Sequence, residues 1–126
     1  MHYLLDSNVV INYLEGSLSS SAIQRLNIIV DEEPIVSVLT KIETIGFNFK
    51  NVDQQTIIET FINNSNILEL NNEIVNKTIE LRKSKKIKLP DAIIAATAIV
   101  HQLTLISSDS DFNDIQGLTI LHPKNL

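Results

Sequence analysis

The sequence contains no cysteine and no tryptophan. Without cysteine there is no disulfide, no zinc–thiolate centre and no thiol nucleophile, and the chain suits a reducing compartment. Glycine and proline occur three times each, which argues against flexible linkers and predicts short loops. Aromatic residues make up only 5%, leaving few platforms on which unpaired bases could stack. No hydrophobic run is long. The longest, Ala92–Val100, spans about nine residues and is interrupted by Thr97, against roughly 20 for a membrane helix. The N-terminus lacks the basic start of a signal peptide, and Asp6 breaks its first apolar run, so a cytoplasmic protein without membrane contact is expected.

What is present fits one ordinary domain over residues 1–126, with 44% apolar and 20% charged residues. The net charge of −5 argues against a general nucleic-acid binder. The basic residues are unevenly spread, however. Six of the ten lie between Lys77 and Lys88: Lys77, Arg82, Lys83, Lys85, Lys86 and Lys88.

Short apolar runs alternate with helical stripes. His2–Leu5, Ile35–Val38, Ile67–Leu70, Leu103–Ser107 and Leu118–Leu121 read as five strands. Between them, helices are predicted over Ser7–Glu15, around Ala22–Val30, from Thr40 to near Gly46, around Ile57–Ile62, around Ile74–Ile79 and over Asp91–Gln102. Gly16 is placed to end the first, and Pro90 to open the last. This alternation implies an α/β fold with a mostly parallel sheet covered on both faces. Ligands of such sheets bind beyond the carboxyl ends of the strands.

Carboxylates collect at those ends. Asp6 follows the first strand, Glu43 follows the second by about a helical turn, and Asp109 and Asp111 follow the fourth. Asp91 opens the helix leading into the fourth. Each has a structural explanation when taken singly. Asp6 or Ser7 can cap a helix. Thr40 and Glu43 have capping-box spacing, Asp91 complements a helix dipole, and Asp109 or Asp111 can make an Asx turn. As a set they are harder to explain. Two ionised carboxylates about 5 Å apart at an effective dielectric of about 20 cost roughly 3 kcal/mol, more than the ~1 kcal/mol of a cap. Convergence would therefore require a neutralising partner, and all-oxygen ligands suit Mg²⁺ or Mn²⁺.

The sequence resembles the PIN-domain ribonucleases, particularly the VapC-type toxins of prokaryotic toxin–antitoxin pairs. Leu4-Leu5-Asp6-Ser7-Asn8 resembles the family's N-terminal motif, and Ser37–Glu43 its second. Leu89-Pro90-Asp91-Ala92-Ile93-Ile94-Ala95-Ala96 is similar to the third, and Ser107–Phe112 to the fourth. The resemblance implies a PIN-like three-layer domain with a central, mostly parallel five-stranded sheet. It also implies Mg²⁺- or Mn²⁺-dependent endonucleolytic cleavage of RNA. Asp6, Glu43 and Asp91 would hold metal, with a fourth acid from Asp109 and Asp111. Asp109 is preferred, because Asp111 beside Phe112 is suited to anchoring the turn. Asn8 and Ser107 would orient the ligands through hydrogen bonds; at position 107 the family more often has Thr.

Arg82, Lys83, Lys85, Lys86 and Lys88 would hold RNA phosphates beside the acids, although a solvated helix end explains such a block equally well. The three histidines lie away from the motifs, so no histidine acid–base mechanism is assigned. The resemblance further implies a homodimer and an antitoxin protein as partner. The apolar faces of the first two helices could serve either, or could be core. Two other functions are weighed. A catalytically inactive PIN-like interaction module is disfavoured because all four acidic positions are filled. A phospho-accepting receiver domain is disfavoured because a single Asp, not an acidic pair, follows the first strand.

Overall fold

The structure, a computed structural model, describes residues 2–126. Among the described residues there are five short strands: β1 (Tyr3–Leu5), β2 (Ile35–Ser37), β3 (Asn66–Leu68), β4 (Thr104–Ile106) and β5 (Ile120–Leu121). Six helices join them: α1 (Ser7–Glu15), α2 (Ser20–Glu32), α3 (Val38–Ile45), α4 (Val52–Asn63), α5 (Asn72–Ser84) and α6 (Leu89–Val100). Every hydrogen-bonded strand pair is parallel. The ladders form two groups, β1-β4-β5 and β2-β3, with β1 lying beside β2. The five expected strands are therefore all found, and their hydrogen bonding divides into three and two.

Strand alternation builds the layers. Leu4, Ile35 and Leu105 belong to one apolar cluster; their chain neighbours Leu5, Val36 and Ile106 belong to another. Successive side chains on a strand point to opposite faces, so the sheet is buried on both sides. The first cluster is closed by α5 and α6 through Ile74, Leu81, Ile94, Ala95, Ala96 and Ala98. The second is closed by α1, α2 and α4 through Val9, Val10, Leu26, Ile58 and Ile62. The small side chains of α6 let α5 pack closely against it. The apolar stripes of α1 and α2 are thus largely core.

Local boundaries follow cap chemistry. Gly16 ends α1 at φ 73°, and its N–H bonds the Asn12 and Tyr13 carbonyls. Only glycine takes that conformation without cost. Gly46 is needed for a different reason: a Cβ there would stand 2.5 Å from the Ile42 carbonyl oxygen. Helix α3 begins two residues before the expected Thr40, because the Ser37 hydroxyl accepts from the Thr40 N–H (3.1 Å) and so caps the helix itself. Pro90 occupies the first turn of α6, which begins at Leu89. Two 3-10 turns, Ser110–Phe112 and Pro123–Asn125, were not anticipated from the sequence.

Candidate metal centre

Parallel pairing of β1 with β4 sets the site. Leu5 is in register with Ile106, so the next residues, Asp6 and Ser107, emerge together at the carboxyl edge. Asp6 is 5% exposed. Its backbone N–H bonds the Ile106 carbonyl (3.1 Å) and extends the ladder by one rung. One carboxylate oxygen accepts from the Ser7 N–H (2.9 Å), and the other from the Ser107 hydroxyl (2.8 Å). Asp6 is therefore the N-cap of α1 as well as a strand-end acid. The Ser107 hydroxyl in turn accepts from the Asp109 N–H (3.0 Å). One serine thus fixes the Asp6 carboxylate and the start of the loop that carries Asp109.

Glu43 reaches the same region from α3. Because Ser37 caps that helix, Glu43 is not held in a capping box with Thr40. Its carboxylate accepts instead from the Ser7 hydroxyl (2.8 Å), which also lies 3.1 Å from the Thr40 hydroxyl. Ser7 and Thr40 are residues that the sequence reading did not assign to the site. For Thr40 the signal was the Ser37–Thr40 cap spacing, which leaves Thr40 without a capping role of its own; the meeting of Ser7 with Glu43 is a tertiary contact with no local signal. Asn8, expected to orient the ligands, is exposed and makes no side-chain hydrogen bond among the described residues; the contact to Glu43 comes from Ser7.

Asp91, Asp109 and Asp111 approach most closely. Each offers a carboxylate oxygen, and all three oxygens lie within 4.8 Å of one another. Asp109 caps the 3-10 turn by accepting from the Asp111 N–H (2.9 Å). The turn-anchoring role expected of Asp111 therefore belongs to Asp109, and Asp111 is exposed beside it. Buried Phe112 pins the turn to the core.

The electrostatics agree with convergence. Burial raises the Asp6 carboxyl above its ordinary range, and the charges of Glu43 and Asp109 add to this, while its two hydrogen bonds act against it. Asp91 is pushed up to about 6, first by burial, then by Asp109, Asp111 and Asp6, with Lys88 opposing. Four of the five predicted acids thus sit within interaction range of Asp91 or form part of its triad, and Glu43 joins through Asp6 and Ser7. Among the described residues every buried side-chain polar atom has a partner. What lacks compensation is the negative charge. A hard divalent cation is the chemistry that an all-carboxylate set of this spacing fits.

The basic block divides in two. Arg82 and Lys83 stand in the last turn of α5, where a helix end favours cations. Lys85, Lys86 and Lys88 lie on the link to α6. Arg82, Lys85, Lys86 and Lys88 line an open groove of about 670 Å³ together with Asp91 and Asp111. Lys83 is exposed and does not line it. The histidines lie elsewhere: His2 is 3.9 Å from Glu33, His101 ends α6, and His122 accepts from the Lys124 N–H. No helix among the described residues is long and apolar enough to cross a membrane.

The PIN domain family profile matches residues 3–118. No curated protein sequence matches the chain. Solved structures do. The chain is similar to VapBC2 from Rickettsia felis, bound to a DNA fragment from its promoter, with a TM-score of 0.81 at 21% identity over 97% of this chain and 98% of the other. A DNA-bound VapBC from Salmonella typhimurium gives 0.82 at 20%, covering 98% of each. A toxin–antitoxin complex from Klebsiella pneumoniae gives 0.73 at 28%, covering 98% and 99%.

Proposed function

The chain belongs to the PIN domain family, and from that premise we propose that it is a metal-dependent endoribonuclease, the toxin of a toxin–antitoxin pair. The observation that carries the reading is the gathering of Asp6, Asp91, Asp109 and Asp111 at one sheet edge, with Glu43 tied in through Ser7. Asp6, Glu43, Asp91 and Asp109 are the proposed ligands of Mg²⁺ or Mn²⁺, and Asp111 is close enough to join them. A bound divalent ion would supply charge neutralisation and activate water for in-line attack on phosphorus.

The chain's own residues prepare that chemistry. Ser107 and the Ser7 N–H hold both Asp6 oxygens in place, so the carboxylate cannot turn away. Ser7 fixes Glu43, whose exposed side chain would otherwise sample several rotamers. Arg82, Lys85, Lys86 and Lys88 line the groove beside Asp91, and are suited to hold backbone phosphates without choosing sequence. A cognate antitoxin is proposed as partner, supported by the toxin–antitoxin complex from Klebsiella pneumoniae. Exposed Ile42, Phe47, Val52 and Ile57 offer apolar surface for that partner or for a second copy in a homodimer.

The test is cleavage of a mixed RNA substrate by the full chain, with Mn²⁺ and with excess chelator. Wild type is expected to cut only with the ion. Asp6→Asn and Asp91→Asn, shown by circular dichroism to be folded, are expected to lose cutting. Undiminished cleavage by those variants, or in chelator, rejects the assigned centre.

A further inference from the structure

A second cavity adjoins the basic groove. It measures about 330 Å³. Its apolar wall is formed by Leu81 of α5, Ile99 of α6 and Ile115 of the loop after β4, all at the margin of the first core cluster. Lys77, Glu80 and Gln116 supply polar atoms. Lys85 and Ile87 line both this cavity and the groove that contains Asp91. At this shared edge the Lys85 ammonium donates to the carbonyl of Asn113, which lines the groove. One loop serves both compartments: Asp109 and Asp111 at its start face the acids, and Ile115–Gly117 line the cavity.

We propose that this cavity receives one unpaired nucleobase of an RNA strand whose phosphates lie in the basic groove, and so sets which base is cut beside; this rests on the nuclease reading above. Single-stranded RNA is recognised through splayed bases read on their edges. A pocket for a flat heteroaromatic ring needs apolar walls and a few placed polar groups, which this one has. Glu80 offers an acceptor, Lys77 a donor and Gln116 both. Lys77 and Glu80 are paired at 3.0 Å with Glu80 largely exposed, and such a surface pair is exchanged for other partners at little cost. Among the described residues no aromatic side chain lines the cavity, so discrimination comes from edge hydrogen bonds rather than stacking. A nucleic acid is favoured over a peptide because the adjoining groove sets four cations against the three acids Asp91, Asp111 and Asp114, and a divalent ion on Asp91 and Asp111 would leave it clearly positive toward a polyanion.

The test is NMR titration of the full chain with each of the four nucleoside 5′-monophosphates and with ribose 5-phosphate, which has no base. At least one nucleotide is expected to shift the Gly117 backbone amide and the Gln116 side-chain amide saturably, with about tenfold differences in affinity among bases. Ribose 5-phosphate is expected to leave both signals in place. Glu80→Gln, which replaces one acceptor oxygen at the rim by an NH₂ donor, is expected to change the order of preference and the bases flanking the cuts in a random-sequence RNA. Equal shifts with ribose 5-phosphate, no shift with any nucleotide, or an unchanged order in Glu80→Gln would overturn the proposal. Shifts of the same amides on protein dilution alone would give the cavity to a second copy instead. The titration needs no catalysis, so base-selective binding without any RNA cleavage would reject the nuclease reading and keep the pocket.

Discussion

Replacing Asp91 by asparagine should stabilise the metal-free protein. The folded-state carboxyl of Asp91 titrates near 6, against 3.8 for the free side chain. Between those values the folded chain holds a proton that the unfolded chain has released, so stability falls as pH rises from about 4 to about 6. Above pH 7 the whole penalty is present. Taken at face value the shift corresponds to about 3 kcal/mol. Asp91 is only part-buried, and solvent screening at such a position reduces this to about 1 kcal/mol. Asparagine keeps the shape and removes the charge, so it escapes the penalty. For a chain of 126 residues, 1 kcal/mol moves the melting temperature by about 4 °C.

The assay is thermal unfolding of wild type and Asp91→Asn in chelator at low ionic strength, from pH 3.5 to 8. The variant's advantage should be absent at pH 3.5, grow between 4 and 6, and level off above 7. Saturating Mn²⁺ should then reverse the order. A ligand at a hundred times its Kd stabilises by about 2.7 kcal/mol, which exceeds the relief that the variant enjoys without it. A variant no more stable than wild type at pH 8 in chelator, or an advantage independent of pH, would refute the claim that uncompensated charge defines this site.

Mn²⁺ affinity measured by calorimetry should rise from pH 5 to 7 with release of protons and flatten above, because Asp91 must deprotonate through about 6; a flat profile would remove Asp91 from the ligand set. Ser7→Ala should weaken Mn²⁺ binding about tenfold through the loss of its hold on Glu43, read in the same calorimeter. Ser107→Ala should destabilise by about 1–3 kcal/mol in urea titration, since it strips a buried Asp6 oxygen of its donor. Lys86→Ala should reduce the slope of log affinity against log salt for single-stranded RNA by about 0.7, and an unchanged slope would place the phosphates elsewhere.

The fold was legible because its cores announce themselves locally. Short runs such as Ile35-Val36 and Leu105-Ile106 are buried on both faces, so they appear in the sequence as unbroken apolar segments. The stripes of α1, α2 and α4 mark the opposite layer. What the sequence hid was set by competition among hydroxyls for the same backbone donors. Ser37 and Thr40 both can cap a helix, and only the fold decides that Ser37 does so. That choice moved the start of α3 and released Glu43 from the box it fits by spacing. Similarly, Asp109 and Asp111 are interchangeable in composition, and the turn selects Asp109 as its cap because the Asp111 N–H comes within reach. The cavity behind the groove left no trace in any one segment, since its lining comes from α5, α6 and the loop after β4.

The pairing of β1 with β4 explains why acids so costly can be kept. The last two of its three rungs, Leu4 with Leu105 and Leu5 with Ile106, carry fully buried aliphatic side chains on both faces. A slip of β1 by one residue would send Leu4 into the layer of Ile106 and Leu5 into that of Leu105, so the register is held by both cores at once. Asp6 and Ser107 are the next residues on each strand; their backbones continue the ladders, but the register they inherit is set by the apolar side chains before them. Their 2.8 Å hydrogen bond is therefore a consequence of the core rather than a condition for it. Charge repulsion at the edge cannot relax by shifting a strand, because shifting a strand would open two apolar clusters. The only relief available to the acids is to take up protons, as the raised Asp6 and Asp91 carboxyls do, or to take up a cation.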